Sequence, residues 1–257
     1  MKNDNREQID LDVVILMAGE GRRLLPLTED RPKALLYFKD GISIFEHIVR
    51  AFAGSNLNVN IIPVIGHGRF KAKEEVDRLY KLAQFQCVTN PFYASAGPLV
   101  SLWLGLLESK HARVVILNGD TIIKSELVEN IINWIEKKEK DRLSIGVCTT
   151  LTEVFVEDDM KILLNEAKNF SKAGKDIDPD KNVLKSAGVI CLKDALSKKI
   201  LREKLDELLL EERALGKKFY WHNILNEVNG LFKIDLIDVN NDSWHEVDTN
   251  GDLSHLF

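Results

Sequence analysis

Short, mainly apolar runs recur along the first 150 residues: 13–17 (VVILM), 59–65 (VNIIPVI), 85–88 (FQCV), 114–117 (VVIL) and 143–148 (LSIGVC). Runs of this kind, the first ending at Gly19, fit strands buried on both faces of a parallel sheet. The stretches between them carry apolar residues at helical spacing, over 44–53, 72–82, 99–107 and 127–135. Strand and helix alternating at this interval predict βαβ units, and so an α/β fold whose parallel sheet is covered by helices.

Beyond about residue 150 the pattern changes. Residues 160–164 and 169–171 predict a small hairpin, 186–192 a strand, 196–210 an amphipathic charged helix, 220–228 a further helix and 233–239 a strand, with a short helix at the C-terminus. There is no internal repeat of 20–50 residues and no Pro/Gly/Ser-rich linker. We therefore expect a polar leader over 1–10 and a single domain over 11–257, with about 150–235 as an insertion or lid and 172–181 as its exposed turn.

Composition narrows the class. An apolar share of 45% and a charged share of 29% over 257 residues allow a sizeable core and argue against disorder or coiled coil. Lys plus Arg at 35 against Asp plus Glu at 40 gives −5, so there is no positive field to drive binding to nucleic acid or to an anionic membrane. A local basic pocket for a small anion is compatible with that total. No stretch approaches the ~20 apolar residues that span a bilayer. The mixed charges of the first ten residues suit neither a secretory signal nor a transit peptide. Cys87, Cys148 and Cys191, odd in number and widely spaced, read as buried thiols in a reducing cytoplasm.

The chemistry concentrates in residues 16–36, LMAGEGRRLLPLTEDRPKALL. A glycine-containing loop directly after a buried strand lets backbone N–H groups approach phosphate oxygens, and Arg23 and Lys33 add positive charge. The dinucleotide fingerprint fails because Leu24 stands where its third glycine belongs, and a Walker A loop would need Gly-Lys-Ser/Thr at a different spacing. The longer phrase Gly-x-Gly-x-Arg-x-x-Pro-Leu-Thr-x-x-x-Pro-Lys is matched at Gly19, Gly21, Arg23, Pro26, Leu27, Thr28, Pro32 and Lys33.

This phrase resembles the opening of the nucleotidylyltransferase superfamily, which makes activated sugars and alcohols from nucleoside triphosphates. The resemblance extends over about 12–256 through Gly97 to Leu102, Asn118-Gly119-Asp120 and Trp244-His245-Glu246-Val247-Asp248. It implies a Rossmann-like nucleotidyltransferase fold, with a mixed, mostly parallel central sheet flanked by helices and a small inserted β/α acceptor-binding region. Leu16, Met17, Ala18, Gly19, Glu20, Gly21, Arg23, Gly97, Ser101 and Asp120 would then contact the nucleotide, Met17 replacing a smaller residue usual there. Arg23, Lys33, Asp120 and Asp248 would be the catalytic set, with Mg²⁺ held by Asp120 and Asp248.

Asn90-Pro91-Phe92-Tyr93, Ser101-Leu102-Trp103, Ser186-Ala187-Gly188-Val189 and Phe219-Tyr220-Trp221-His222-Asn223 resemble segments of bacterial CTP:phosphocholine cytidylyltransferases. This branch implies CTP and a small phosphorylated amino alcohol as ligands, with Lys161, Tyr220, Trp221 and Glu246 on the acceptor; a homodimer is compatible with it. Adjacent aromatics can hold a quaternary ammonium, each contact contributing about 0.5–2 kcal/mol, or can simply pack in the core. Two positions depart from the branch: His222 stands where an Asp would neutralise the ammonium, and Ala96-Gly97-Pro98 replaces paired Asn residues. Aminoethylphosphonate, inositol phosphate and sugar 1-phosphates are the alternative acceptors. A catalytically silent nucleotide-binding regulatory domain is the alternative of another class, and it would be expected to lose Arg23, Lys33, Asp120 and Asp248.

Overall fold

The computed structural model describes residues 9–54, 57–137, 143–217, 219–249 and 251–252. Its first half is the expected alternation: β1 (Ile9–Met17), α1 (Ile44–Ala53), β2 (Leu57–Ile65), α2 (Arg69–Leu79), β3 (Gln84–Phe85), β4 (Val88–Thr89), α3 (Pro98–Glu108), β5 (Arg113–Asn118), β6 (Thr121–Ile123) and α4 (Ser125–Glu136). The second half adds β7 (Ser144–Thr150), β8 (Lys161–Leu164), β9 (Phe170–Gly174), β10 (Val183–Leu192), α5 (Ala195–Leu208), α6 (Glu212–Leu215), α7 (Ile224–Val228), β11 (Lys233–Asp238) and β12 (Trp244–Glu246).

Strand order in the main sheet is β11-β7-β10-β5-β1-β2-β3, with β4 also on β2 and the β8–β9 hairpin extending from β10. β1 runs parallel to β2 and β5, and β11 parallel to β7. β10 alone in the central path is antiparallel, to both β5 and β7. The sheet is thus mixed and mostly parallel, as the resemblance implies. Leu11, Val13, Val14 and Ile15 have no exposure at all, because helices cover both faces. One core packs the sheet on α1, α2 and α4, the other on α3, α5 and α7. Each fully buried Leu, Ile or Val in these layers contributes about 1.5–3 kcal/mol relative to exposure.

Several boundaries differ from the pattern reading. The run 85–88 is two two-residue strands on either side of Gln86 and Cys87, paired with successive segments of β2. Cys148 and Cys191 are buried, but Cys87 is exposed at this kink. The stretch 150–235 supplies the central strand β10 and the start of the edge strand β11 in addition to the projecting hairpin, and residues 172–174 continue β9 instead of forming a turn. β1 already begins at Ile9; the rest of the expected leader, and the C-terminal helix beyond Asp252, lie outside the described residues. Among the described residues no helix is long and apolar enough to cross a membrane.

Candidate active site

At the C-terminal end of β1 the chain leaves the sheet into the signature loop. The His67 amide donates to the Ala18 carbonyl at 3.0 Å, the His67 ring meets the Thr28 carbonyl at 2.7 Å, and the Thr28 hydroxyl donates to the Gly21 carbonyl at 2.8 Å. Two short 3₁₀ turns follow, Arg22–Leu24 and Lys33–Leu35. The first projects Arg23 outward, with 58% of its side chain exposed; the second turns Lys33 inward, with 12% exposed. Leu16, Met17, Gly19, Gly21, Arg23 and Lys33 line a cavity of about 500 Å³.

The acidic residues arrive through a two-stranded ribbon. β12 pairs antiparallel with β6, Glu246 opposite Thr121, and the ladder continues as the Val247 amide donates to the Asp120 carbonyl at 3.0 Å. The carboxylates of Asp120, Glu246 and Asp248 consequently have oxygens within 4.8 Å of one another. Asp252 fixes the following turn by accepting from the amides of Asp248 and Thr249 at 2.9 and 2.6 Å. Gly119 permits the close approach on the other side. Its amide donates to the Leu16 carbonyl at 2.9 Å, and a Cβ there would lie 2.6 Å from that of Met17.

Cations compensate this cluster. Lys33 Nζ donates to Asp120 Oδ2 at 2.9 Å and to Asp248 Oδ1 at 2.6 Å, while Arg23 Nη2 reaches the same Asp248 oxygen at 2.9 Å. Burial opposes the charged form of Lys33, but the two carboxylates outweigh it and raise its pKa. Glu246 is pushed up to about 8, first by burial and then by Asp120 and Asp248, which favours its protonated form near neutrality. Asp120 Oδ1 is buried without a hydrogen-bond donor. Three convergent carboxylates, one with an orphaned oxygen, form a hard-oxygen site that fits a divalent cation such as Mg²⁺.

The cleft continues in two directions. Toward one end, Ala18, Gly19, Glu20, Gly97, Ser101 and Lys217 contribute to a cavity of about 300 Å³. Gly97 opens α3, whose N1 residue is Pro98, and its amide donates to the Leu215 carbonyl at 2.8 Å, bringing the α6 loop and Lys217 over the cavity. The Ser101 hydroxyl accepts from buried Asn90 at 2.9 Å. Glu20 pairs with Arg22 at 2.8 Å, and that hydrogen bond holds it below the usual carboxylate range.

Toward the other end a cavity of about 170 Å³ includes Asp158, Lys175, Ser186, Tyr220, Trp221, His222 and Glu246 in its walls. Trp221 is buried and donates from Nε1 to Asn118 Oδ1 at 2.7 Å; its ring lies against His222, centroids 3.9 Å apart. His222 Nε2 is 3.2 Å from Ser186 Oγ, and burial, aided by the Lys175 charge, lowers the His222 pKa to about 3. A bulge in β10 aims Ser186 here. Gly188 sits in it at φ +70°, where a side chain would meet the Asn118 amide at 2.8 Å. Lys161 does not reach this cavity: it is buried, and its Nζ donates to the carbonyls of Lys175 at 2.8 Å and Asp159 at 3.4 Å. Lys175 points in instead.

Asp158, Lys175, Lys217 and Asp252 line or brace the site with no signal in the sequence pattern. Asn118, part of the Asn118-Gly119-Asp120 motif, is placed by the fold as the acceptor for the Trp221 indole.

The profile of the family described as "Nucleotidyl transferase" matches residues 12–153. The bifunctional protein GlmU of Methanococcus vannielii is 30% identical over 119 residues, covering 46% of this chain and 27% of that protein. The choline-phosphate cytidylyltransferase of Streptococcus pneumoniae is 28% identical over 120 residues, covering 47% and 49% respectively. Across the curated relatives it matches, the aligned part of the chain spans 27–51% of their length. Among solved structures, the inositol-1-phosphate CTP transferase from T. maritima superposes with a TM-score of 0.74 at 18% identity, covering 96% of this chain and 92% of the other. The CTP:phosphocholine cytidylyltransferase from Streptococcus pneumoniae superposes at 0.72 and 20% identity, covering 96% and 98%. At these identities the superpositions establish the fold.

Proposed function

The chain belongs to the nucleotidyl transferase family, and from that premise we propose that it transfers a cytidylyl group from CTP to a small phosphorylated alcohol, releasing pyrophosphate. The observation that carries this reading is the convergence of Arg23 and Lys33 with Asp120, Glu246 and Asp248 where the central and acceptor-side cavities meet. Arg23 and Asp120 line both the central and the acceptor-side cavities, and Gly19 and Lys217 both the central and the base-side ones. One cleft thus runs from base to acceptor, with its charged groups at the place where phosphates would meet.

The acceptor's phosphate oxygen attacks the α-phosphorus in line as the bond to the bridging oxygen of the β-phosphate breaks, so no covalent enzyme intermediate is required. The task of the protein is charge management. Arg23 leaves its two carboxylates to take phosphate oxygens in the forked geometry of a guanidinium, while Lys33 acts as a compact charge beside the reacting phosphates. Backbone amides of the loop at Gly19 and Gly21 add fixed donors. Bound between Asp120 and Asp248, Mg²⁺ would supply further neutralisation of the approaching anions.

CTP is supported by the resemblance to cytidylyltransferases and by the relative named choline-phosphate cytidylyltransferase. The same resemblance favours a phosphorylated amino alcohol as acceptor. The test is a matrix: the protein with Mg²⁺, each of the four common NTPs, and phosphocholine, phosphoethanolamine, aminoethylphosphonate, inositol 1-phosphate and glucose 1-phosphate, scored by pyrophosphate. Release with CTP and one of these acceptors is expected; no release from any pair would favour the silent nucleotide-binding domain.

A further inference from the structure

The acceptor end of the cleft contains an ammonium of its own. Lys175 Nζ lies 4.4 Å from the centroid of the Tyr220 ring and pairs with Asp158. Asp158 is also engaged by Arg23 Nη1 at 2.6 Å. These are the two features a quaternary ammonium substrate needs, an aromatic face and a carboxylate, and both are taken by side chains of the chain itself. The neighbouring aromatic offers no replacement, since Trp221 is buried with its ring tilted against His222, centroids 3.9 Å apart, and burial keeps that imidazole neutral.

We propose that Lys175 is a specificity-determining residue that stands in for a substrate ammonium, so that the acceptor is a phosphorylated polyol and not a quaternary ammonium compound. This rests on the nucleotidyl-transfer reading and replaces its amino-alcohol acceptor. Apart from Arg23, Asp120 and Glu246, which belong to the charged junction, the remaining polar groups around the cavity, Ser186, His222 and Asn118, carry no charge and suit hydroxyls. Lys175 is held for this role from behind, because Lys161 donates to its backbone carbonyl at 2.8 Å. Lys161 is accordingly a positioning residue. Removing the Lys175 ammonium would free the Tyr220 face and one side of Asp158 together, converting the pocket toward quaternary ammonium binding.

The experiment is calorimetric titration of phosphocholine and of inositol 1-phosphate into wild-type protein, Lys175→Met and Lys175→Arg, with thermal melting as the folding control. Wild type should bind inositol 1-phosphate at least about tenfold more tightly than phosphocholine. Lys175→Met should raise phosphocholine affinity about tenfold and weaken inositol 1-phosphate, whereas Lys175→Arg, which keeps the cation, should retain the wild-type order. If Lys175→Met fails to fold, Lys175→Gln makes the same comparison. A wild-type preference for phosphocholine, an unchanged affinity ratio in the variants, or no binding of either compound would overturn the proposal. Absence of pyrophosphate release by the wild type with every pair of substrates would instead remove the transferase reading, leaving the affinity ratio to judge the pocket.

Discussion

The two ends of the cleft are built in different ways. The proposed nucleotide end is mostly backbone: a loop leaving β1, the start of α3 and a glycine packed on Met17, each held by a main-chain hydrogen bond. The acceptor end is mostly side chain. Asp158, Lys175, Ser186 and Tyr220 come from the β8–β9 hairpin region, a bulge in β10 and the turn before α7. Main-chain recognition constrains a short sequence phrase tightly, because each position must permit a particular backbone path. Side-chain recognition lets one substitution change the ligand without disturbing the frame. Chemistry should thus reside where the ends meet, and selectivity at the acceptor end.

The largest expected effect is at the junction. Asp120→Asn and Asp248→Asn should each reduce kcat/KM for pyrophosphate release about a hundredfold or more, measured by steady-state kinetics. Stability should change by no more than about 1 kcal/mol in urea unfolding, since neutralising one of three crowded acids offsets the hydrogen bond lost to Lys33. Lys33→Met should also reduce kcat strongly, but it leaves those acids with Arg23 on Asp248 as their remaining cation. Its melting temperature should fall in EDTA and recover with Mg²⁺, which differential scanning fluorimetry can follow; no recovery would speak against a cation site among the three carboxylates.

At the acceptor end the effects should be smaller and of another kind. Trp221→Leu removes a buried indole and leaves Asn118 Oδ1 without its donor, so it should cost about 1–3 kcal/mol and raise KM for all acceptors alike. A rise confined to quaternary ammonium compounds would make Trp221 an ammonium ligand after all. The smallest effect is a pH dependence. His222 has a pKa lowered from 6.5 to about 3 in the folded protein, so below pH ~6.5 the unfolded chain takes up a proton that the folded chain refuses. Stability should fall from pH 6.5 toward 3, and His222→Gln should remove about 2 kcal/mol of the loss between pH 7 and 5. Equal losses in both proteins would show that His222 is not held neutral.

The same contrast governs what could be read in the sequence. Four of the five strand runs, all but 85–88, and the four helices between them were visible because each carries its own length or period. The phrase from Gly19 to Lys33 was visible because its backbone demands fix residue types at fixed spacing. The ribbon that joins Asp120 to Asp248 was not, since three-residue strands have no measurable period. Lys161 and Lys175 could not be distinguished. Both are lysines on the hairpin, and only the register of β8 against β9, with Lys161 opposite Gly174, decides which amine is buried on carbonyls and which enters the cavity. Cys87 reads as apolar by composition yet is exposed, because the strand it was expected to occupy breaks there.

Arg23, Lys33 and the three carboxylates are proposed as a centre for nucleotidyl transfer to a small phosphorylated acceptor. Its most direct test is pyrophosphate release from CTP, with and without inositol 1-phosphate, by the wild type and by Asp248→Asn in Mg²⁺ and in EDTA. Release is expected only from the wild type with acceptor and Mg²⁺ together. Full release by Asp248→Asn, or undiminished release in EDTA, would contradict it.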